Sequence, residues 1–341
     1  MKPRPPAGPP SASAVPARLR PHLALLASFL IVFAAGYSLG LLSSSTRPPS
    51  PSRPSQTTAI ARPHAAHLSA VPAAPDGSYA RSPPHDLFRF KEECGEPVPG
   101  DAVVRTLLDK LFDGESPYAG FPPAHAAALL HPAAARPRGW GSTGAVFAEL
   151  IAAVRPAVIL ELGAFLGASA LHMEAVSRNL SGLSPPPAIL CVDDFRGWPG
   201  FRDRFRRDVP PQRHGDALLL PQFMANVAAA GEDAVARVLP LPFSTASALA
   251  ALCDWGVYAD LIEVDAGHDF HSAWADINLA WAVLRPGGVM FGHDYFTAAD
   301  DRGVRRAVTL FAKVKGLTVR PHGQHWVLSP KPPARGDDDA R

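Results

Sequence analysis

Residues 158–169 read Val158-Ile-Leu-Glu161-Leu-Gly163-Ala-Phe-Leu-Gly167-Ala-Ser169, an apolar run that passes through two spaced glycines into a segment able to form a helix. Val158 to Leu160 suit a strand buried on both faces, and Ala168 to Ser177 can continue as a helix. Gly163 and Gly167 lack the Cβ atoms that would hold a ligand off the backbone. Strand, glycine turn and helix in this order make a nucleotide cradle, so an α/β sheet is expected from here onward.

The spacing separates the nucleotides. A dinucleotide site calls for G-x-G-x-x-G at the helix start, whereas the order here is Glu161-x-Gly163-x-x-x-Gly167 with an acid ahead of the first glycine. A nicotinamide-dependent oxidoreductase is thereby the weaker expectation. Glu-x-Gly-x-x-x-Gly after a first strand resembles motif I of the class I S-adenosylmethionine-dependent methyltransferases. That resemblance implies that Glu161, Gly163 and Gly167 serve the cofactor, the glycines making room for its methionine part. An ordinary βα turn is the competing reading of these residues alone.

The 341 residues carry a formal charge of +2, which hides a basic N-terminal quarter: Met1 to Pro75 contain no Asp or Glu. Such a balance gives no ground for a nucleic-acid partner, and none is expected. Residues 1–22 form a basic tail, and Leu23 to Leu42 are an uncharged, mostly apolar run, about the twenty residues that span a bilayer. A cleaved signal has an apolar region of only ~7 to 15 residues, so a transmembrane signal anchor is expected. Lys2, Arg4, Arg18 and Arg20 precede it and Arg47, Arg53 and Arg62 follow, which leans toward a cytoplasmic N-terminus and a type II protein of the secretory pathway, expected in the Golgi. A plastid transit peptide is the alternative. Residues 43–84 are a Pro- and Ser-rich disordered tether, 85–141 an accessory helical segment, 142–328 the catalytic domain and 329–341 a disordered tail. Cys191 and Cys253 fall in a strand and a helix as small buried hydrophobes, and the three cysteines form no disulfide framework or zinc pattern. Asn179-Leu180-Ser181 is an N-glycosylation sequon.

Within the domain, Asp101 to Asp113 and Thr143 to Val154 carry the apolar spacing of amphipathic helices, and Ala188 to Val192 is a second strand ending at Asp193. A carboxylate at that end can accept both hydroxyls of a ribose. Residues 195–215 hold many arginines and read as a solvated surface. Pro221 to Ala230 suit a helix, Ala236 to Leu241 a third strand and Thr245 to Asp254 the next helix, with Ser244 at the strand end, beside the adenine in the methyltransferases this chain resembles. Then follow Asp260-Leu-Ile-Glu-Val-Asp265-Ala-Gly-His268 and Leu284-Arg-Pro-Gly-Gly-Val-Met-Phe-Gly292-His293-Asp294-Tyr295. These resemble the methyltransferase branch whose fourth strand ends in Ile-Asp-Gly-Asp-His and whose fifth follows Leu-x-Pro-Gly-Gly and ends in Gly-His-Asp-Tyr. Gly267 stands where that branch has its second acid. Gly303 to Lys315 reads as an amphipathic helix, and Leu317 to Arg320 with His325 to Leu328 as an edge hairpin.

The resemblance implies a Rossmann-like, seven-stranded, mostly parallel sheet with a C-terminal antiparallel hairpin. It implies S-adenosyl-L-methionine as cofactor, on Glu161, Gly163, Gly167, Asp193, Ser244 and Asp265. It also implies an O-directed methyl transfer to a small-molecule or glycan acceptor. Asp265 and Asp294 match the acids that hold Mg or Mn in catechol O-methyltransferase-like relatives, although Tyr295 stands where those have Asn. His268, His293 and Asp294 are the catalytic candidates, since imidazole titrates near neutrality. A methyltransferase-like binding protein without turnover is the alternative from another class.

Overall fold

The computed structural model describes residues 93–131, 139–197 and 218–333. The expected basic tail, membrane anchor and tether, most of the arginine-rich stretch and the last eight residues lie outside the described residues. No helix among the described residues is long and apolar enough to cross a membrane.

The strands are β1 (Val158–Leu162), β2 (Ala188–Val192), β3 (Val238–Leu241), β4 (Ala259–Val264), β5 (Leu284–Gly292), β6 (Val319–His322) and β7 (His325–Leu328). They form one sheet of seven in the order β3-β2-β1-β4-β5-β7-β6. β1 to β5 run parallel, and β7 is antiparallel to both β5 and β6. This is the Rossmann-like sheet with a closing hairpin that the motifs imply.

The helices are α1 (Val103–Leu111), α2 (Ala124–Ala127), α3 (Ala145–Val154), α4 (Ala168–Asn179), α5 (Leu219–Ala230), α6 (Glu232–Arg237), α7 (Thr245–Asp254), α8 (Phe270–Val283) and α9 (Gly303–Lys315). They cover both faces, which is why the central strands read as unbroken apolar runs. Side chains alternate along each strand. Val158, Leu160 and Leu162 join Ile262 and Val264 in a core against α1, α7, α8 and α9. Ile159, Cys191 and Leu261 point the other way, into a core with α3, α4, α5 and α6. Helix starts are fixed locally: Asp269 caps α8 by accepting from the N–H groups of His271 and Ser272, a device typically worth ~1 kcal/mol.

Four features differ from expectation. Ala236 and Arg237 belong to α6 rather than to the third strand; Glu232 and Asp233 favour the positive N-terminal end of a new helix after Gly231. The Pro286-Gly287-Gly288 stretch, expected ahead of the fifth strand, instead bulges out of β5, whose pairing with β4 jumps from Ala259↔Leu284 to Leu261↔Val289. Residues 329–331, expected in a disordered tail, are tied down. Lys331 exchanges backbone hydrogen bonds with Gly287 and Gly288, and its Nζ donates to the carbonyls of Trp281 and Leu284 at 2.7 and 2.6 Å. Finally, Cys94 and Cys253 form a disulfide across 159 residues of sequence, so Cys253 is not the free buried thiol expected of it. The Gly95 N–H to Cys253 carbonyl bond and the Val98 N–H to Gly256 carbonyl bond lay the segment before α1 along the end of α7, which brings the two cysteines together. Cys191 is free and buried, as expected.

Candidate active site

In an open parallel sheet the ligand crevice lies beyond the carboxyl ends of the strands, where the strand order reverses. Here that point is between β1 and β4. The turns leaving β1 and β2 form one side of it, and those leaving β4 and β5 form the other.

On the first side, Gly163 donates its N–H to the Val192 carbonyl at 2.8 Å, and Gly167, at φ +84°, opens α4. Between them the Phe165 N–H donates to Asp193 Oδ2 at 2.9 Å, while Asp193 Oδ1 accepts the Phe195 N–H at 2.7 Å. Burial raises the Asp193 pKa and these two hydrogen bonds lower it, with a net upward shift. Each carboxylate oxygen keeps a second lone pair, so Asp193 can brace the loop and still accept a ribose hydroxyl. The Leu166 carbonyl accepts from Asn226 Nδ2 at 2.9 Å.

Two residues expected at the cofactor have protein partners of their own. Glu161 is 1 % exposed and its carboxylate lies inside the domain. It accepts a short hydrogen bond from the Ser169 hydroxyl and one from Cys191 Sγ at 3.3 Å. Its reach is to the first turn of α4, which it braces from beneath, because its place on β1 points it into the core and not out of the strand end. Burial pushes its pKa up to about 7. Ser244 does sit at the end of β3, but its oxygen is the cap of α7, accepting the Ser247 N–H at 3.3 Å.

On the second side the structure brings together Asp265, His268, His293 and Asp294. His268 Nε2 is 3.1 Å from Asp294 Oδ2 and 3.8 Å from Asp265 Oδ1. His293 Nδ1 is 3.4 Å from Asp294 Oδ2, close enough for ion pairing but without hydrogen-bond geometry. Asp294 has φ +59°, a left-handed turn position that Asp tolerates, and the Thr297 hydroxyl donates a short hydrogen bond to it. Burial raises the Asp294 pKa, but the close imidazole of His293, the hydrogen bond from Thr297 and the charge of His268 outweigh it and bring the group down to about 2. Asp265 raises the His268 pKa, burial opposes, and Asp294 adds to the rise. By distance Asp294 is the closer partner.

The two histidines are not equivalent. The His268 side chain is 44 % exposed, whereas that of His293 is 10 % exposed. A Cβ on Gly141 would lie 2.5 Å from His293 Nε2, so that nitrogen is shut under the 139–144 loop. His325 packs edge-on behind the same ring, with centroids 4.8 Å apart. His268 is therefore the more accessible of the two imidazoles, and His293 lies behind Asp294.

Sequence reasoning passed over Thr297, His325 and the α5 amides. Thr297 is legible as Asp-x-x-Thr turn spacing, while the contact of His325 depends on the hairpin returning β7 beside β5.

Asp265, His268 and Asp294 each offer a ligand atom, all within 4.8 Å of one another. Two carboxylates and an imidazole suit Mn better than a purely oxygen-loving Mg. On the cofactor side, the glycine loop and the braced Asp193 fit S-adenosylmethionine, a nucleoside joined to an amino acid.

Residues 160–295 match the family described as a methyltransferase domain. No curated protein sequence matches the chain. Among solved structures, the chain is similar to an O-methyltransferase from Bacillus cereus in complex with SAH, with 19 % identity over 67 % of this chain and 97 % of that one and a TM-score of 0.41. It is also similar to cofactor-bound Rv0187 from MTB, with 18 % identity over 70 % and 100 % and a TM-score of 0.42. A third is the O-methyltransferase TomG from Streptomyces achromogenes in complex with SAM, with 14 % identity over 57 % and 82 % and a TM-score of 0.40. The family match spans both sides of the crevice, from within β1 to the turn after β5, on a sheet of Rossmann-like order. Residues 160–295 are thus the part of this chain that is similar to known methyltransferase domains.

Proposed function

We propose that this chain is a membrane-anchored methyltransferase that acts on a hydroxyl of a sugar or small metabolite in the lumen of the secretory pathway, in the Golgi. The observation that carries the O-directed reading is the His268–Asp294 pair, 3.1 Å apart and open to the crevice. When bound, S-adenosylmethionine supplies a methyl group made electrophilic by its sulfonium. The loop 163–167 and Asp193 bind and orient that group, and the acceptor hydroxyl lies against His268. With its Nε2–H held by Asp294, His268 would take the hydroxyl proton at its other ring nitrogen, Nδ1, as the methyl group passes to the acceptor oxygen. Asp294 and Asp265 stabilise the imidazolium that results, and His293 and Thr297 hold Asp294 in place.

A second reading rests on the same three ligand atoms within 4.8 Å. Asp265, His268 and Asp294 would hold a divalent cation, which lowers the pKa of a bound hydroxyl. Inhibition by chelator, reversed by Mn, selects this reading; activity unchanged by chelator selects His268 as base.

Two observations support the lumenal placement. The Cys94–Cys253 disulfide suits an oxidising compartment, and Asn179 of the sequon is exposed at the end of α4. With the apolar run Leu23 to Leu42, they favour a type II protein over plastid import. Labelled S-adenosylmethionine screened against glycan and small-phenol libraries tests the activity, with methylation of an oxygen expected. Transfer to nitrogen or carbon alone, or to nothing, opposes it. A glycosidase-sensitive mass shift lost in Asn179→Gln tests the compartment.

A further inference from the structure

Helix α5 is apolar except for two amides one turn apart, Gln222 and Asn226, which are 2 % and 4 % exposed. A buried carboxamide is costly unless its donors and acceptors are met. Asn226 Nδ2 donates to the Leu166 carbonyl at 2.9 Å, and Asn226 Oδ1 accepts from Gln222 Nε2 at 3.1 Å. Gln222 Oε1 accepts the His131 N–H at 2.7 Å, and Gln222 Nε2 also reaches the His131 carbonyl at 3.3 Å. One chain of hydrogen bonds thus runs from the cofactor loop, at the residue before Gly167, through α5 to the accessory segment after α2. Phe223, on the same helix, lies under the loop: a Cβ on Gly167 would meet its ring at 3.0 Å. The accessory segment has a second anchor at its start, where the Tyr118 hydroxyl donates to the Val238 carbonyl at 2.8 Å.

The ladder admits one orientation. The Leu166 carbonyl needs a donor, which fixes the Asn226 amide; its oxygen then needs a donor from Gln222, and the Gln222 oxygen is left for the His131 N–H. Rotating any one amide sets acceptor against acceptor. The position of the Leu166 carbonyl is therefore transmitted to the backbone of His131.

We infer that Gln222 and Asn226 are positioning residues that couple the cofactor loop 163–167 to segment 118–131, so that cofactor binding orders this part of the accessory segment. This rests on the reading that the loop binds S-adenosylmethionine. Neither amide contacts the reacting atoms; both act through backbone groups.

The test is amide hydrogen exchange of the full-length chain in detergent, with and without S-adenosylhomocysteine, alongside calorimetry with the same probe. In the wild type, exchange of residues 124–131 slows about tenfold or more on binding. Gln222→Met cuts the ladder in the middle, and the slowing is lost while the probe's Kd stays within about threefold. Asn226→Leu cuts it at the loop and weakens the probe about tenfold. If Gln222→Met does not fold, Gln222→Glu takes its place, since it keeps the acceptor for His131 and loses the donor to Asn226. Exchange of 124–131 that ignores the probe in the wild type, or slowing that persists in the Gln222 variant, overturns the coupling. A wild type that binds no probe overturns the cofactor reading itself.

Discussion

Gly163 stands directly against the backbone of Asp265: a Cβ on Gly163 would lie 2.0 Å from the Asp265 carbonyl oxygen. The cofactor loop and the acceptor-side loop are pressed together with no side chain between them. The glycine is needed for that approach and for its φ of +94°, before any ligand enters.

Gly163→Ala is therefore expected to lower the thermal midpoint without ligand, since a strained backbone position alone costs roughly 1–3 kcal/mol. Gly167→Ala should cost less, because its Cβ meets the edge of the Phe223 ring, which can shift. Thermal melts of both apoproteins check this. A Gly163→Ala protein that melts like the wild type would mean that the glycine serves only the ligand.

Asp193 accepts two backbone N–H groups, from Phe165 and Phe195. Asp193→Ala strands both donors, at roughly 1–3 kcal/mol for each that stays buried, and should weaken S-adenosylhomocysteine binding about tenfold or more by calorimetry. Asp193→Asn keeps one carbonyl acceptor and should fall between. Affinity unchanged in both would remove Asp193 from the cofactor side.

Glu161 and Glu263 face each other across β1 and β4, 1 % and 2 % exposed. Burial, and then the charge of Glu161, raise Glu263 well above the ordinary value, and burial takes Glu161 from 4.5 to about 7. Raised acids hold protons in the folded state that the unfolded chain has released. Stability from the pair is complete below about pH 4.5 and is lost as pH rises toward and through 7, by an amount on the order of a few kcal/mol. Thermal melts should show the wild type weakening from pH 5 to 8 and Glu263→Gln weakening less, the remaining slope coming from Glu161. Equal slopes would mean that the pair is not protonated in the fold.

Reducing the Cys94–Cys253 disulfide, or Cys253→Ser, releases a closed loop of 159 residues. The expected cost is roughly 2–4 kcal/mol, seen as a lower denaturant midpoint. Because Cys94 and Cys253 lie beyond the opposite, amino ends of the strands from the crevice, S-adenosylhomocysteine affinity in native conditions should hold. No change in stability would mean that the bond is not formed in solution.

Much of the fold is legible because it rests on local pattern. β2, α7 and α9 have the bounds that apolar spacing assigns them, and the unbroken apolar strands announce a sheet covered on both faces. The site residues at the ends of β4 and β5 are legible by the same logic, since a strand end fixes where a side chain begins. What escapes is orientation and long-range pairing. Nothing local says that Glu161 points into the core, that Gly141 closes over His293, or that Cys94 meets Cys253. Gln222 and Asn226 are visible as polar residues on an apolar helix, but their partners, Leu166 and His131, are set only by packing.

The central claim is that His268 is the base and Asp294 its partner. The most direct measurement is the pH dependence of kcat for methyl transfer to the first acceptor that the labelled screen yields, in the wild type, His268→Gln and Asp294→Asn. A base must be neutral to accept a proton, and Asp265 and Asp294 raise the His268 pKa above 6.5. Wild-type activity should therefore rise with pH through a midpoint above 6.5, and Asp294→Asn should move that midpoint down. His268→Gln should lose about a hundredfold or more in kcat with S-adenosylhomocysteine affinity within about threefold. Wild-type rates that are flat across this range, or a His268→Gln enzyme that turns over like the wild type, would contradict the account.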